Sequence, residues 1–142
     1  MRVQVRSYQP SDHDAIVTLW RTVFPDAPPR NDPVRDIARK LAVQPELFLV
    51  ALVEDRVAGT TLGGFDGHRG WVHLVAVDPG LRRRGVGSVL MREAESRLAA
   101  LGCPKLNLQV RGDNAGVVPF YESLGYRVED RISLGKLLDA RE

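Results

Sequence analysis

The chain has 142 residues, with Lys+Arg 20 against Asp+Glu 18 and a net charge of +2, a length suited to one domain with a proper core. So small a balance excludes a broad basic face for nucleic acid, and the longest apolar run, Leu47 to Val53, is too short to span a bilayer. The lone Cys103 excludes an internal disulfide, and with no signal peptide in the opening Met1–Arg6 the expectation is a cytoplasmic protein in a reducing compartment.

Residues 2 to 8 alternate as a first strand. Ser11-Asp12-His13-Asp14 supplies caps and acids for a helix whose apolar face includes Ile16, Leu19, Trp20 and Val23. Pro25-Asp26-Ala27-Pro28-Pro29 ends it. A second helix begins near Asn31 or Asp32 with Pro33 in its first turn, and Val34, Ile37, Ala38 and Leu41 recur at helical spacing. Leu47 to Val53 and Arg56 to Phe65 read as strands joined by Glu54-Asp55. Asp66-Gly67-His68-Arg69-Gly70 is a hairpin turn, and Trp71 to Val77 the next strand. A helix at 87 to 101 buries Leu90, Ala94, Leu98 and Leu101 and stops at Gly102. Cys103 follows as a small apolar residue. A strand at 105 to 110, a helix from Asn114 to Leu124 and two closing strands complete a single domain, 1–142. The order β-α-α-β-β-β-α-β-α-β-β implies an α/β (α+β) fold, a mixed central sheet flanked by about four helices.

The chemistry concentrates at Val72 to Ser88. An apolar strand runs into Asp78-Pro79-Gly80, then Arg82-Arg83-Arg84, then Gly85-Val86-Gly87-Ser88 at the mouth of a helix. The first amides of a helix lack internal partners and carry positive partial charge, glycines admit a bulky anion, and arginines add charge. A phosphate-bearing ligand therefore belongs at residues 82 to 88. A triphosphate loop is rejected, because Gly85 and Gly87 are one residue apart and no lysine follows. A dinucleotide fingerprint is weak, because Leu90 stands where its third glycine belongs and Lys105 to Val110 carries no acid.

The remaining pattern, Arg82-x-x-Gly85-x-Gly87 after a strand, resembles the pyrophosphate loop of the GNAT (Gcn5-related) N-acetyltransferases. Asn114 to Tyr126 resembles that family's second signature, with Tyr121 seven residues after Asn114 in a Tyr-Glu-Ser-Leu-Gly-Tyr ending. The two motifs stand in the family's order and separation, and the element order matches its fold along essentially the whole chain. Asn31-Asp32-Pro33, Asp36-Ile37, Arg39-Lys40, Leu47 to Ala51, Asp66 to Gly70, Gly102 to Lys105 and Ser133 to Lys136 further resemble a small bacterial acetyltransferase of that family.

The resemblance implies an N-acetyltransferase that takes acetyl-CoA as co-substrate and acetylates a small-molecule, peptide or protein amine. It has no membrane or nucleic-acid partner and uses no metal. Backbone groups of Val75 and Val77 are expected to hold the pantetheine arm as a sheet edge accepts a strand. The amide near Val75 faces the oxyanion. Amides of Arg83, Arg84, Gly85, Val86, Gly87 and Ser88 take the pyrophosphate, and Asn114 contacts the cofactor. Tyr121 is the expected general acid toward the departing thiolate.

The base is open. Related enzymes that acetylate protein N-termini carry a Glu where this chain has Gln109, which cannot take a proton. His73 shares strand parity with Val75 and Val77; Asp66 and His68 sit in the hairpin; a water relay needs none of them. Asn31, Asp32, Arg35 and Asp36, at the junction of the first two helices, are where acceptor specificity is sought, against a plainer reading as a cap and a solvated face. Two rivals stand beside the enzyme: a non-catalytic acyl-CoA-binding or sensing module, and a nucleotide-binding regulatory domain using the same loop. The oligomeric state is open, a homodimer included.

Overall fold

Runs of aliphatic and β-branched residues form the sheet that their pattern predicts. The computed structural model describes residues 2–139, divided between two compact units, Met1–Leu108 and Gln109–Glu142. In the first, β1 (Val3–Ser7), β2 (Phe48–Val53), β3 (Arg56–Phe65), β4 (Gly70–Val77) and β5 (Leu106–Asn107) follow one another across one sheet. Neighbours are antiparallel from β1 to β4, and β5 runs parallel to β4. The same unit holds α1 (His13–Val23), α2 (Pro33–Leu41) and α3 (Val86–Ala100), while α4 (Val118–Ser123) lies in the second. Mixed sheet and four α-helices agree with the expected fold class.

The two faces of the sheet sort by strand alternation. Phe48, Val50 and Leu52 of β2, with Leu62 and Ala76, join Ile16, Leu19 and Trp20 of α1 and Ile37 of α2 in one core cluster. The intervening residues turn toward α3. A Cβ on Gly59 would lie 2.7 Å from the Ala76 carbonyl oxygen and 3.0 Å from Leu90 Cδ1, so only glycine lets α3 approach β3 and β4 this closely. All of β2 is buried, and α3 contributes Val86, Leu90, Met91, Ala94 and Leu98 to the second core layer. Each fully buried leucine contributes about 1.5–3 kcal/mol of transfer free energy.

Helix ends follow the capping residues with one exception. Asp32 caps α2 by accepting the Arg35 N–H at 3.3 Å. At the end of α3, Gly102 (φ 85°) is left-handed, the Gly102 N–H meets the Ala99 carbonyl and the Cys103 N–H reaches the Leu98 carbonyl, a Schellman closure. Asp12 precedes α1 but does not cap it. Its carboxylate takes the Arg6 guanidinium at 2.7 and 2.9 Å and the Gln9 N–H at 2.9 Å. Burial alone would raise its pKa; the bonds from Arg6 and Gln9 outweigh burial and hold it below the usual aspartate value.

Five sequence expectations need correction. In α2 only Ile37 is buried, whereas Val34 and Leu41 are 46% and 40% exposed. The helix presents the line of Pro33, Ile37 and Lys40 inward, turning the Val34–Ala38–Leu41 stripe to solvent. Leu101 is 49% exposed, because the helix has already closed at Ala100. The strand expected at 105 to 110 shortens to Leu106–Asn107. In the second unit, a 3-10 turn at Gly112–Val117, bent at Asn114, precedes α4, and Pro119, lacking an N–H, suits the first turn of a new helix rather than one continuous one. The two closing strands are not formed among the described residues after Tyr126. Alternation makes Val128, Ile132 and Leu134 competent for a strand, but a strand exists only through its ladder.

One buried polar atom has no partner among the described residues, the hydroxyl of Thr61. An orphaned hydroxyl carries its desolvation cost with no return, so Thr61→Val is expected to stabilise the protein by about 1 kcal/mol. Urea unfolding checks this as a higher midpoint at unchanged slope.

Candidate active site

β4 is not a regular strand. Thr60 pairs with Ala76 and Leu62 with His73, so the single residue Thr61 on β3 faces two on β4, Leu74 and Val75. This is a β-bulge. Leu74 sits at φ 50°, a left-handed conformation that costs a leucine about 1–3 kcal/mol. A buried relay holds it there: the Trp20 Nε1–H donates to Thr60 Oγ1 at 2.8 Å, and the Thr60 hydroxyl donates to the Leu74 carbonyl at 3.0 Å.

The bulge has two consequences. It reverses the side-chain alternation, so the expectation that His73 shares the orientation of Val75 and Val77 fails. His73 lies opposite Leu62, on the α1/α2 side, whereas Val77 lies opposite Gly59, on the α3 side. The bulge also follows the end of the parallel ladder, since β5 pairs with β4 only at Gly70 and Trp71. The ladder does not reach the backbone of Val75 or Val77.

Beyond β4 the chain turns tightly. Asp78 Oδ1 accepts the Gly80 N–H at 2.8 Å, and the Leu81 N–H meets the Asp78 carbonyl at 2.8 Å. Arg83 (φ 65°) and Gly85 (φ 83°) are both left-handed, and Gly85 is the N-cap of α3, with no side-chain cap. The Val89 N–H bonds the Gly85 carbonyl at 3.1 Å. The amides of Val86, Gly87 and Ser88 precede it and have no helical acceptor. Nothing lies within 4 Å of a Cβ built at Gly85, and Arg82, Arg83 and Arg84 are exposed around the opening. Open amides, positive helix end and three guanidinium groups together fit a pyrophosphate.

On the α1/α2 side, beginning one residue before the bulge, lies an open cleft of about 270 Å³ whose lining includes Lys40, Gln44, Leu62, Asp66, Trp71 and His73. The Trp71 and His73 rings stack with centroids 6.4 Å apart and planes 6° from parallel. Gln44 closes the end of β3, accepting the Phe65 N–H at 2.9 Å and donating to its carbonyl at 3.3 Å. Lys40 donates its ammonium to the Gly63 carbonyl. Asp66 Oδ1 accepts the His68 and Arg69 N–H groups at 2.8 and 2.7 Å; the Arg69 and His68 bonds lower its pKa. Asp66 thus holds the hairpin turn, and His68 is exposed at its tip. At the other junction, Asp32 caps α2 and Asp36 pairs with Arg39 at 3.1 Å.

The His73 side chain is exposed, yet partial desolvation and then the Lys40 ammonium lower its pKa from the ordinary 6.5, with Asp36 opposing them. Proton uptake by this ring therefore occurs below the ordinary histidine range. A rate that depends on neutral His73 loses its acidic limb in His73→Gln, the wild-type limb lying below pH 6.5. His68→Gln is expected to leave that limb in place. Paired pH–rate profiles of kcat/KM read both.

The second unit carries Asn114 and Tyr121. Asn114 is exposed, with its N–H on the Arg111 carbonyl at 2.9 Å. The Tyr121 ring meets Phe120 and Tyr126 edge-on, at 5.0 and 6.0 Å between centroids. Burial raises its phenol pKa above the ordinary 10.0. Gln109 donates its amide to Ser133 Oγ at 2.7 Å.

The loop at the mouth of α3 and the strand before it stand where the sequence places them, and Asn114 and Tyr121 lie on the 3-10 turn and on α4 of the second unit. Sequence reasoning passed over Lys40, Gln44 and Trp71 as site residues, and the Trp20–Thr60 relay. For Lys40 the available signal was its place three residues after Ile37, on the buried side of α2. Among the described residues no cluster of three or more His, Cys, Asp or Glu could hold a metal ion, and no helix is long and apolar enough to cross a membrane.

Known proteins resemble this chain in sequence and in fold. The model of the acetyltransferase (GNAT) family matches residues 13–126, a span running through both units. The acetyltransferase YE1169 of Yersinia enterocolitica is 45% identical over 136 residues, 96% of each chain. The acetyltransferase ECA0875 of Pectobacterium atrosepticum is 43% identical over 141 residues, 99% of each. Among solved structures, Ard1 from Thermoplasma volcanium superposes with a TM-score of 0.77 at 27% identity, covering 91% of this chain and 85% of its own. AAC(6')-Iy, in complex with the bisubstrate analogue CoA-S-monomethyl-acetylneamine, reaches 0.80 at 14% identity, covering 96% and 99%. The chain is an acetyltransferase and belongs to the GNAT family.

Proposed function

We propose that this protein transfers acetyl from acetyl-CoA to a primary amine, as a single domain working in the cytoplasm. The observation that carries the donor is the open amide end of α3 beside Arg82, Arg83 and Arg84, reached from a bulged strand that its parallel neighbour leaves unpaired. The solved AAC(6')-Iy structures in complex with CoA and with a CoA-based bisubstrate analogue support the same donor. In this reading the amides of Arg83 to Ser88 bind the pyrophosphate, Asn114 contacts the cofactor, and the backbone of Val75 and Val77 pairs with the pantetheine arm.

The acceptor, deprotonated to the free amine, attacks the thioester carbonyl carbon. A C–N bond forms and the Val75 amide donates to the oxyanion. The intermediate collapses with loss of the C–S bond, and the thiolate takes the Tyr121 phenolic proton. The acceptor's proton passes to water or to His73, and solvent reprotonates Tyr121. Products are the acetamide, CoA thiol and one proton.

Gln109 favours one alternative. A carboxamide engaged with Ser133 takes no proton, which suits a module that binds acyl-CoA without transfer. Continuous detection of CoA thiol with acetyl-CoA and a panel of amines, polyamines, amino acids, aminoglycosides and peptides separates the two. Acceptor-dependent release establishes the transferase. Tight acetyl-CoA binding with a silent panel moves the assignment to the sensing module.

A further inference from the structure

The cleft beside the bulge combines a cation with flat apolar walls. Lys40 is half-buried, and among the described residues its hydrogen bond goes to the Gly63 carbonyl; an ammonium has three donors. Leu62, Val43 and the stacked Trp71–His73 pair supply apolar surface. The carboxylates nearby have partners of their own: Asp36 pairs with Arg39, and Asp66, in the cleft wall, accepts the backbone of its own turn through Oδ1 and a side-chain hydrogen bond from Trp71. Glu46 favours the Lys40 ammonium, yet burial outweighs it and lowers the lysine's pKa. An anion placed against Lys40 would offset that desolvation.

We infer that the cleft binds the acceptor's own carboxylate, held by Lys40, with an apolar portion against Trp71 and Leu62, so that the preferred acceptor is an amino acid or short peptide with a free carboxylate. This rests on the amine-acetylating reading above. His73 forms one wall and is followed directly by the bulge residues Leu74 and Val75, so an acceptor seated there has its amine beside the strand that receives the thioester. Polycationic acceptors meet a like charge at Lys40.

The test has two readouts. The first compares CoA-thiol release with phenylalanine, leucine and 6-aminohexanoate against the carboxamide of each, in wild type, Lys40→Met and Lys40→Arg. A charge-assisted hydrogen bond predicts a carboxylate preference in kcat/KM of about tenfold or more. That preference collapses toward one in Lys40→Met and returns in part in Lys40→Arg. The second is binding without turnover. Trp71 lies in the cleft wall and Trp20 in the core, so tryptophan fluorescence titrated with the same pairs reports occupancy, and Trp71→Phe should silence it. Equal use of carboxylate and carboxamide by wild type, or a preference that survives Lys40→Met, overturns the proposal and leaves the transferase standing. Lys40-dependent quenching by the carboxylates with no thiol release supports the site and overturns the transferase reading. The absence of both quenching and release overturns the proposal.

Discussion

Tyr121→Phe is expected to lower acceptor-dependent CoA release by about 10²–10⁴-fold while acetyl-CoA affinity stays within about twofold. The substitution removes one oxygen and little else. The ring meets Phe120 and Tyr126 through its edges and face, contacts a phenylalanine keeps, so α4 should fold as before. What is lost is a proton donor. The thiolate of CoA is a good leaving group, but its protonation draws collapse of the intermediate forward, and the phenol that supplies the proton is left as a phenolate for solvent to reprotonate. Burial raises the Tyr121 pKa above 10.0, which keeps the phenol protonated throughout the neutral range. The sign follows: activity that needs the protonated phenol is retained below its folded pKa and lost as pH rises through it, so the alkaline limb of kcat lies above pH 10.0 in wild type. A kcat within about threefold of wild type, with chemistry shown to be rate-limiting by the absence of a burst, would make Tyr121 a packing residue.

The features legible in the sequence were those written locally. Gly85 and Gly87 after three arginines announce an open, positively charged helix mouth because backbone freedom and charge are properties of the residues themselves. Asp32-Pro33 marks the start of α2 for the same reason, and Ile16, Leu19 and Trp20 mark the buried face of α1. The bulge was not legible. Nothing in His73-Leu74-Val75 departs from a regular strand, and Leu74 is a poor candidate for positive φ; the conformation is imposed by register with β3 and by the hydroxyl of Thr60, 14 residues away. The misassigned side of His73 follows directly, since one extra residue turns every later side chain over. The α2 face was misread because Val34, Ala38 and Leu41 are more apolar than Lys40, and only the cleft explains why the lysine side turns inward. The second unit's closing strands were inferred from alternation, which cannot supply the pairing partner.

Thr60→Val is expected to destabilise the protein by about 2–4 kcal/mol, although valine matches threonine in shape. The hydroxyl accepts from Trp20 and donates to Leu74 within the core. Its removal leaves the indole N–H and a strand carbonyl unpaired, each costing about 1–3 kcal/mol when buried. Thr60→Ser keeps both bonds and loses only a methyl, about 1 kcal/mol, so the serine variant separates the hydrogen bonds from packing. The neighbouring Thr61→Val makes the identical change with the opposite sign, because that hydroxyl serves nothing. The pair also tests how the bulge is held. Leu74 pays for its left-handed backbone with the bond to Thr60, and without it the strained residue gains by relaxing toward a regular strand, shifting the Val75 amide. Loss of well-oriented positioning costs up to about 10²-fold in rate. Thr60→Val should therefore lower kcat more than it raises KM at temperatures where the protein remains folded, with Thr60→Ser restoring most of it. A variant that loses stability but keeps kcat would show that the strand holds its bulge without the relay.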